Sequence, residues 1–177
     1  VEANGNGTTT CGAGIAVAQH TTGLPIELAI SGGTISGYTA LNESNPQKNG
    51  QSQLDKIEMS ISGGEFKTIK GGKTAVRSED KASFITGGSY DSSVAEYVSE
   101  SMKYELNNGG TFSYYTNLND ALDAAEEGAV ISDLGEGAST VFYRLAVSYG
   151  NGQNGIDVKL PAGTEYKLPA APSKVGY

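Results

Sequence analysis

The sequence predicts a mainly β chain: a short parallel β-helix, then one helix, then a C-terminal β-hairpin. Three observations carry that reading. One unit recurs: residues 57–67 (Ile-Glu-Met-Ser-Ile-Ser-Gly-Gly-Glu-Phe-Lys) repeat residues 26–36 (Ile-Glu-Leu-Ala-Ile-Ser-Gly-Gly-Thr-Ile-Ser), with a looser copy at 81–91. The second glycines, Gly33, Gly64 and Gly88, are 31 and 24 residues apart, a period at which stacked units bury apolar edges only against their neighbours. Composition agrees, since 25 glycines, no Trp and 18% charged residues suit strands and tight turns better than a helical bundle. Lastly, a helical stripe of apolar residues occurs once after the repeats, at Leu118, Ala121, Leu122 and Ala125.

The elements follow in order. Residues 1–10 are mostly Gly, Asn and Thr, a loop. Gly14-Ile15-Ala16-Val17-Ala18 alternates as a strand, with counterparts in Tyr38-Thr39-Ala40-Leu41 and Lys73-Thr74-Ala75-Val76. Each coil thus carries two strand types, one of them the Ile-x-Ile-Ser-Gly-Gly strand, where Gly-Gly marks a bend needing positive φ or close backbone approach. Residues 42–53 are polar around Pro46 and Gly50 and predict a protruding loop. In the third copy Lys81 replaces the leading Ile and Phe84 shifts the apolar parity, so the regular stack ends there. Ser92-Ser93 opens one short helical turn through Val98. Residues 103–106 and 111–115 form a hairpin around Asn107-Asn108-Gly109-Gly110. Asn117, with Asp120 three positions on, caps a helix over 117–127 that Gly128 stops. Ala129-Val130-Ile131 is a strand, and residues 143–148 and 156–160 alternate around a Gly-rich turn as the final hairpin. The predicted divisions are 1–106 (coils), 107–135 (hairpin strand and helix) and 136–177 (C-terminal hairpin leading into a further repeat).

Composition also bounds function. A net charge of −8 argues against nucleic acid or an anionic membrane as the main partner, because both need clustered Lys and Arg. No run of about 20 apolar residues exists to span a bilayer. Cys11 is the only cysteine, so neither a disulfide framework nor a Cys-rich metal site is predicted. The chain opens at Val1 without a leader and stops abruptly, which reads as a fragment.

The Ile-Ser-Gly-Gly-Thr and Ile-Thr-Gly-Gly-Ser units, followed by Glu96-Tyr97-Val98, resemble the pectate-lyase-like right-handed β-helix segments of gut Firmicutes surface proteins. The resemblance covers roughly residues 14–106. Residues 115–125 are similar to the helix that opens such segments, although Ala129-Val130-Ile131 departs from the Asp-Thr-Ile-like strand that follows there. Residues 160–177 resemble the opening of a Listeria–Bacteroides-type β-grasp repeat, without its Phe-x-Gly-Trp core. The resemblance implies a secreted or cell-wall-attached protein of a host-associated bacterium, some of whose relatives act as adhesins or capture host immunoglobulin.

Candidate chemistry is sparse. His20 is the lone histidine, and Cys11 lies nine residues upstream with no third orienting group, so a plain surface histidine is the simpler reading. Glu79-Asp80 and Glu126-Glu127 are adjacent carboxylates, which face opposite ways on a strand and do not pair across a sugar. Asn117, Asn119, Asp120, Asp133 and Glu136 offer oxygen ligands without EF-hand spacing; capping and solvation account for them. Two features suit binding. Lys67, Lys70, Lys73, Arg77 and Lys81 concentrate positive charge in an acidic chain, either as a patch for an acidic partner or as solvated turns. Ten tyrosines, among them Tyr38, Tyr90, Tyr97, Tyr114 and Tyr115, offer contact area with a polar tip, though strands also favour Tyr for packing.

The function predicted is a non-catalytic, monomeric binding module outside the cell, without cofactor or metal. It recognises a host protein or glycoprotein, an immunoglobulin foremost, through Tyr38, Lys67, Lys70, Lys73, Arg77, Tyr90, Tyr97, Tyr114 and Tyr115. A polysaccharide-active enzyme and a ligand-free stalk are the alternatives.

Overall fold

A computed structural model describes residues 12–69, 71–149 and 155–170. In it the repeats lie side by side in register. The first half comprises β1 (Ala13–Ala18), β2 (Ile26–Gly37), β3 (Thr39–Ser44), helix α1 (Gln51–Leu54), β4 (Ile57–Thr68), β5 (Val76–Ser78) and β6 (Ser89–Tyr90). Strands β2 and β4 run parallel, with Ile26 opposite Ile57, Ile30 opposite Ile61 and Ile35 opposite Phe66. The third copy joins where Ile61 bridges Ile85 and Phe66 faces Tyr90. The 31- and 24-residue spacings are therefore the strand register itself. A second, three-stranded parallel sheet, β1-β3-β5, aligns Ile15, Leu41 and Val76.

The Gly-Gly steps are close approaches between these strands. A Cβ at Gly63 would stand 2.5 Å from the Ser31 carbonyl oxygen, and one at Gly87 would stand 2.4 Å from that of Ser62. The following glycines, Gly33, Gly64 and Gly88, have φ between 86° and 105°, where side chains other than glycine are strained.

The second half is built differently. Strands β7 (Tyr104–Asn108) and β8 (Thr111–Tyr115) form a hairpin, followed by α2 (Leu118–Ala124), β9 (Val130–Asp133), β10 (Ser139–Val147) and β11 (Ile156–Pro161). All of these strands join the repeat strands in one eight-stranded sheet of order β11-β10-β9-β7-β8-β6-β4-β2. Every pairing from β6–β8 outward to β10–β11 is antiparallel.

The predicted parallel β-helix is thus corrected. The chain is mainly β, but its strands form two open sheets, the larger of them mixed, and among the described residues no solenoid closes. The reason is local. Only Ser89 and Tyr90 of the third copy form a strand, and Gly109-Gly110, with φ of 60° and 99°, then turns the chain back within two residues. So short a connection can join only antiparallel neighbours. The predicted loop over 42–53 is corrected too. Asn42, Glu43 and Ser44 belong to β3, the central strand of the three-stranded sheet, and are buried, and Gln51–Leu54 is helical. The helix predicted over 117–127 forms over Leu118–Ala124, capped as expected by Asn117, whose Oδ1 accepts from the Asp120 N–H at 3.0 Å. The division predicted at 106/107 falls inside β7. The turn at 150–154 and the final residues 171–177 lie outside the described residues.

Two apolar clusters hold these halves. The larger includes Ile57, Ile61, Phe66, Val76, Ile85, Tyr90 and Val94. Phe66 and Tyr90 stack with centroids 4.9 Å apart, and Tyr114 meets Tyr90 edge-on at 6.0 Å. Such aromatic pairs add about 0.5–1.5 kcal/mol each beyond the area they bury. The smaller cluster packs α2 on the antiparallel strands through Leu106, Ala121, Ala125, Ala129, Ile131 and Phe142.

Candidate functional site

The tyrosines predicted to form a contact surface are mostly interior. Tyr90, Tyr97 and Tyr114 are buried, and this corrects their assignment to a binding face. Each ring lies where parallel copies or the following hairpin cover it: Tyr90 on Phe66, Tyr97 on Phe84, and Tyr114 on Tyr90. Their hydroxyls have internal work. Tyr90 donates to the Gly87 carbonyl at 2.8 Å, while Tyr114 accepts the Val94 N–H at 2.7 Å and donates to Glu105 Oε2 at 2.8 Å. Burial pushes all three phenols above the ordinary tyrosine range. Tyr38 and Tyr115 are half-buried.

The predicted basic patch is also divided. Lys67 lies on β4 and pairs with Glu65 at 2.6 Å, whereas Arg77 lies on β5 in the other sheet and pairs with Glu79 at 2.8 Å. The Lys67 hydrogen bond holds the Glu65 carboxyl below its ordinary range. Lys73 is exposed, Lys81 is half-buried, and Lys70 lies outside the described residues. A carboxylate two residues away thus offsets each of two predicted contact cations, Glu65 on the same face of β4 as Lys67 and Glu79 just past the end of β5 beside Arg77.

The remaining candidates serve local structure. His20 is exposed, its Nδ1 3.3 Å from Gln47 Nε2, and Cys11 lies outside the described residues. Asp133 Oδ1 accepts from the N–H groups of Gly135 and Glu136, closing the β9–β10 turn. Asn117 caps α2, and its Nδ2 donates to Asp120 Oδ2 at 2.6 Å. Glu79 receives the Asn45 N–H through Oε2, at 2.9 Å. Next to it, burial raises the Asp80 carboxyl above its ordinary range, and the charges of Glu43 and Glu79 add to that. Among the described residues no three His, Cys, Asp or Glu side chains gather as a metal site, and no helix is long and apolar enough to cross a membrane.

Two groupings escape sequence reading. Glu43 is fully buried, and its Oε2 accepts from Ser78 Oγ, Glu79 N and Asp80 N at 2.8–3.0 Å, so one carboxyl group organises the turn after β5. Beside it on the strand, Asn42 is fully buried, and among the described residues neither of its side-chain polar atoms has a hydrogen-bond partner. Nothing in the polar run Asn42-Glu43-Ser44 signals a central strand.

The second grouping is an open groove of about 1080 Å³ between α2 and the β10–β11 hairpin. Leu122, Ala125, Phe142 and Val158 give it apolar lining, and Asp123, Glu127, Tyr143, Arg144, Asp157 and Lys159 supply polar groups. Its geometry follows from the hairpin register, in which Arg144 stands opposite Lys159 and Tyr143 opposite Leu160. Arg144 forks onto Asp157, Nε to Oδ1 at 2.8 Å and Nη2 to Oδ2 at 2.5 Å. The Lys159 ammonium donates to the Leu122 and Asp123 carbonyls, where cations complement a helix C-terminus. Glu127 Oε2 accepts the Arg144 N–H at 3.2 Å. Arg144 also holds the Asp157 carboxyl below its ordinary range. A group kept ionised in this way is a poor proton donor at neutral pH. What the groove offers is area, with Tyr143 half-exposed at 51% on its wall. The alternation of residues 143–148 and 156–160 was a sequence signal for the hairpin; the packing of α2 beside it was not.

Comparison with known protein families, with curated proteins and with solved structures gives no match.

Proposed function

We propose that this chain is a non-catalytic recognition module that binds a macromolecular partner through the groove between α2 and the β10–β11 hairpin. The carrying observation is Tyr143, a large exposed aromatic on the wall of an open groove with apolar lining and an internal Arg144–Asp157 ion pair. Aromatic anchors set among polar groups that exclude water are the usual energetic centres of protein interfaces. Arg144 and Asp157 already meet in a two-bond fork, so a partner that covers them need not supply a counter-charge to either. The resemblance of the Ile-Ser-Gly-Gly units supplies the setting, a bacterial cell surface. The first ligand to test is accordingly a host immunoglobulin or another host glycoprotein.

Immobilised chain is exposed to host serum and mucosal secretions, and retained proteins are titrated in purified form. A saturable ligand whose affinity falls about tenfold or more in Tyr143→Ala supports the reading. An empty column, or a ligand indifferent to Tyr143→Ala, overturns it. Release of sugars from an acidic polysaccharide would replace it with an enzyme.

A further inference from the structure

Strand β2 ends the eight-stranded sheet, and among the described residues no strand pairs with its outer edge. The inner copies show what the Gly-Gly step accommodates. At Gly63 and Gly87 the Ser carbonyl of the preceding copy occupies the space a Cβ would need. Gly32 holds the same place in β2, its φ is not left-handed, and an added Cβ meets nothing within 4 Å. Among the described residues nothing requires a glycine there. Ser31, Gly32, Gly33 and Thr34 are all exposed. The core opens at the start of the repeat: Ile57 is buried and its partner Ile26 on β2 half-buried, whereas Leu28 and Met59 are alike half-buried and Ile30 and Ile61 alike buried.

We propose that the outer edge of β2 is a docking site for a basic, extended peptide that adds as a parallel strand, in the register β2 keeps with β4. An added strand in that register lays its own carbonyl over Gly32, as Ser31 lies over Gly63, and its apolar residues cover Ile26 and Leu28. Main-chain hydrogen bonds give such strand addition its affinity, and alternate side chains give it selectivity. Charge selects the occupant. Glu27 stands opposite Glu58, both exposed, so the row across the edge already holds two carboxylates. Like charges on directly opposed strand positions are unfavourable and opposite charges favourable. A second copy adding its own Ile-Glu repeat would bring a third carboxylate; a peptide with Lys at that place relieves the row.

The test uses the whole chain and a labelled peptide with the sequence of residues 57–68 carrying Glu58→Lys. Fluorescence anisotropy is expected to show saturable binding, about tenfold weaker for the unsubstituted peptide. In the chain, Gly32→Val should weaken binding about tenfold or more without lowering the melting temperature, since the strand tolerates a β-branched residue. Glu27→Lys should reverse the preference between the two peptides, which keeps the proposal testable should Gly32→Val fold poorly. Amide shift changes on peptide addition should map to residues 26–37. Binding indifferent to Gly32→Val and to Glu27→Lys, shifts confined to β11, or no saturation at millimolar peptide would overturn the proposal. Concentration-dependent self-association lost in Gly32→Val would also overturn it, by giving the edge to a second copy. Tyr143→Ala leaves this edge untouched, so failure here and failure at the groove are separable.

Discussion

The two halves of the eight-stranded sheet use opposite strategies. In the repeat half, like residues lie over like: Ile30 beside Ile61 beside Ile85, and Ile35 beside Phe66 beside Tyr90. These contacts join residues 24 and 31 positions apart and need glycine where backbones meet. In the antiparallel half, neighbours in sequence become neighbours in space through hairpins, and the interior is a few small side chains around Leu106, Ile131 and Phe142. Repetition therefore builds the thick core, and local turns build a thinner layer that leaves a groove beside α2.

That contrast can be broken first by truncating one aromatic in each half. Phe66 is fully buried between stacked copies, so Phe66→Ala should cost about 4 kcal/mol, because its rigid neighbours cannot close the cavity. Phe142 borders the open groove, where solvent and the hairpin can adjust, so Phe142→Ala should cost about 3 kcal/mol or less. Urea midpoints at unchanged slope measure the difference. Equal costs would mean that the two layers are packed alike.

Tyr114 sharpens the comparison at the seam. It belongs to β8, yet its hydroxyl holds the Val94 N–H of the repeat half and reaches Glu105 on β7. Tyr114→Phe leaves a buried N–H without its partner and should cost about 1–2 kcal/mol by the same titration. A neutral outcome would show that the seam relies on ring packing alone.

The smallest effect concerns charge. In the antiparallel half Asp157 has Arg144, whereas in the repeat half Asp80 shares its turn with Glu43 and Glu79. The Asp80 carboxyl titrates higher in the folded chain than in the unfolded one. The fold is therefore favoured below the ordinary carboxylate range, and that advantage is lost as pH rises through the folded value. Asp80→Asn should raise the melting temperature slightly at pH 7 and leave it unchanged near pH 3, where both states are protonated. Thermal scans at the two pH values decide it, and a loss at pH 7 would show that the carboxylate is favourable.

Legibility in the sequence varied with the range of the signal. The pairing of the copies, the Gly109-Gly110 turn and the Asn117 cap were readable because each depends on a few neighbouring residues. The tyrosines were misread as surface because Tyr90, Tyr97 and Tyr114 look alike in sequence whether a strand covers them or not. The basic residues were misread as one patch because the sequence does not show that β4 and β5 enter different sheets. The groove was missed because its two walls, α2 and the final hairpin, come from separate segments.

By itself, then, the sequence determined that the chain is mainly β, which copies pair, and where glycine permits a turn or a close approach. These follow from steric limits on φ and from alternation, both of which act over a few residues. The tertiary structure alone decided that parallel pairing gives way to antiparallel after β6, that polar Asn42-Glu43-Ser44 become interior, that β2 has no partner on its outer edge among the described residues, and that a groove opens beside α2. Burial depends on what packs over the face from which a side chain projects, and that is a property of the assembled fold.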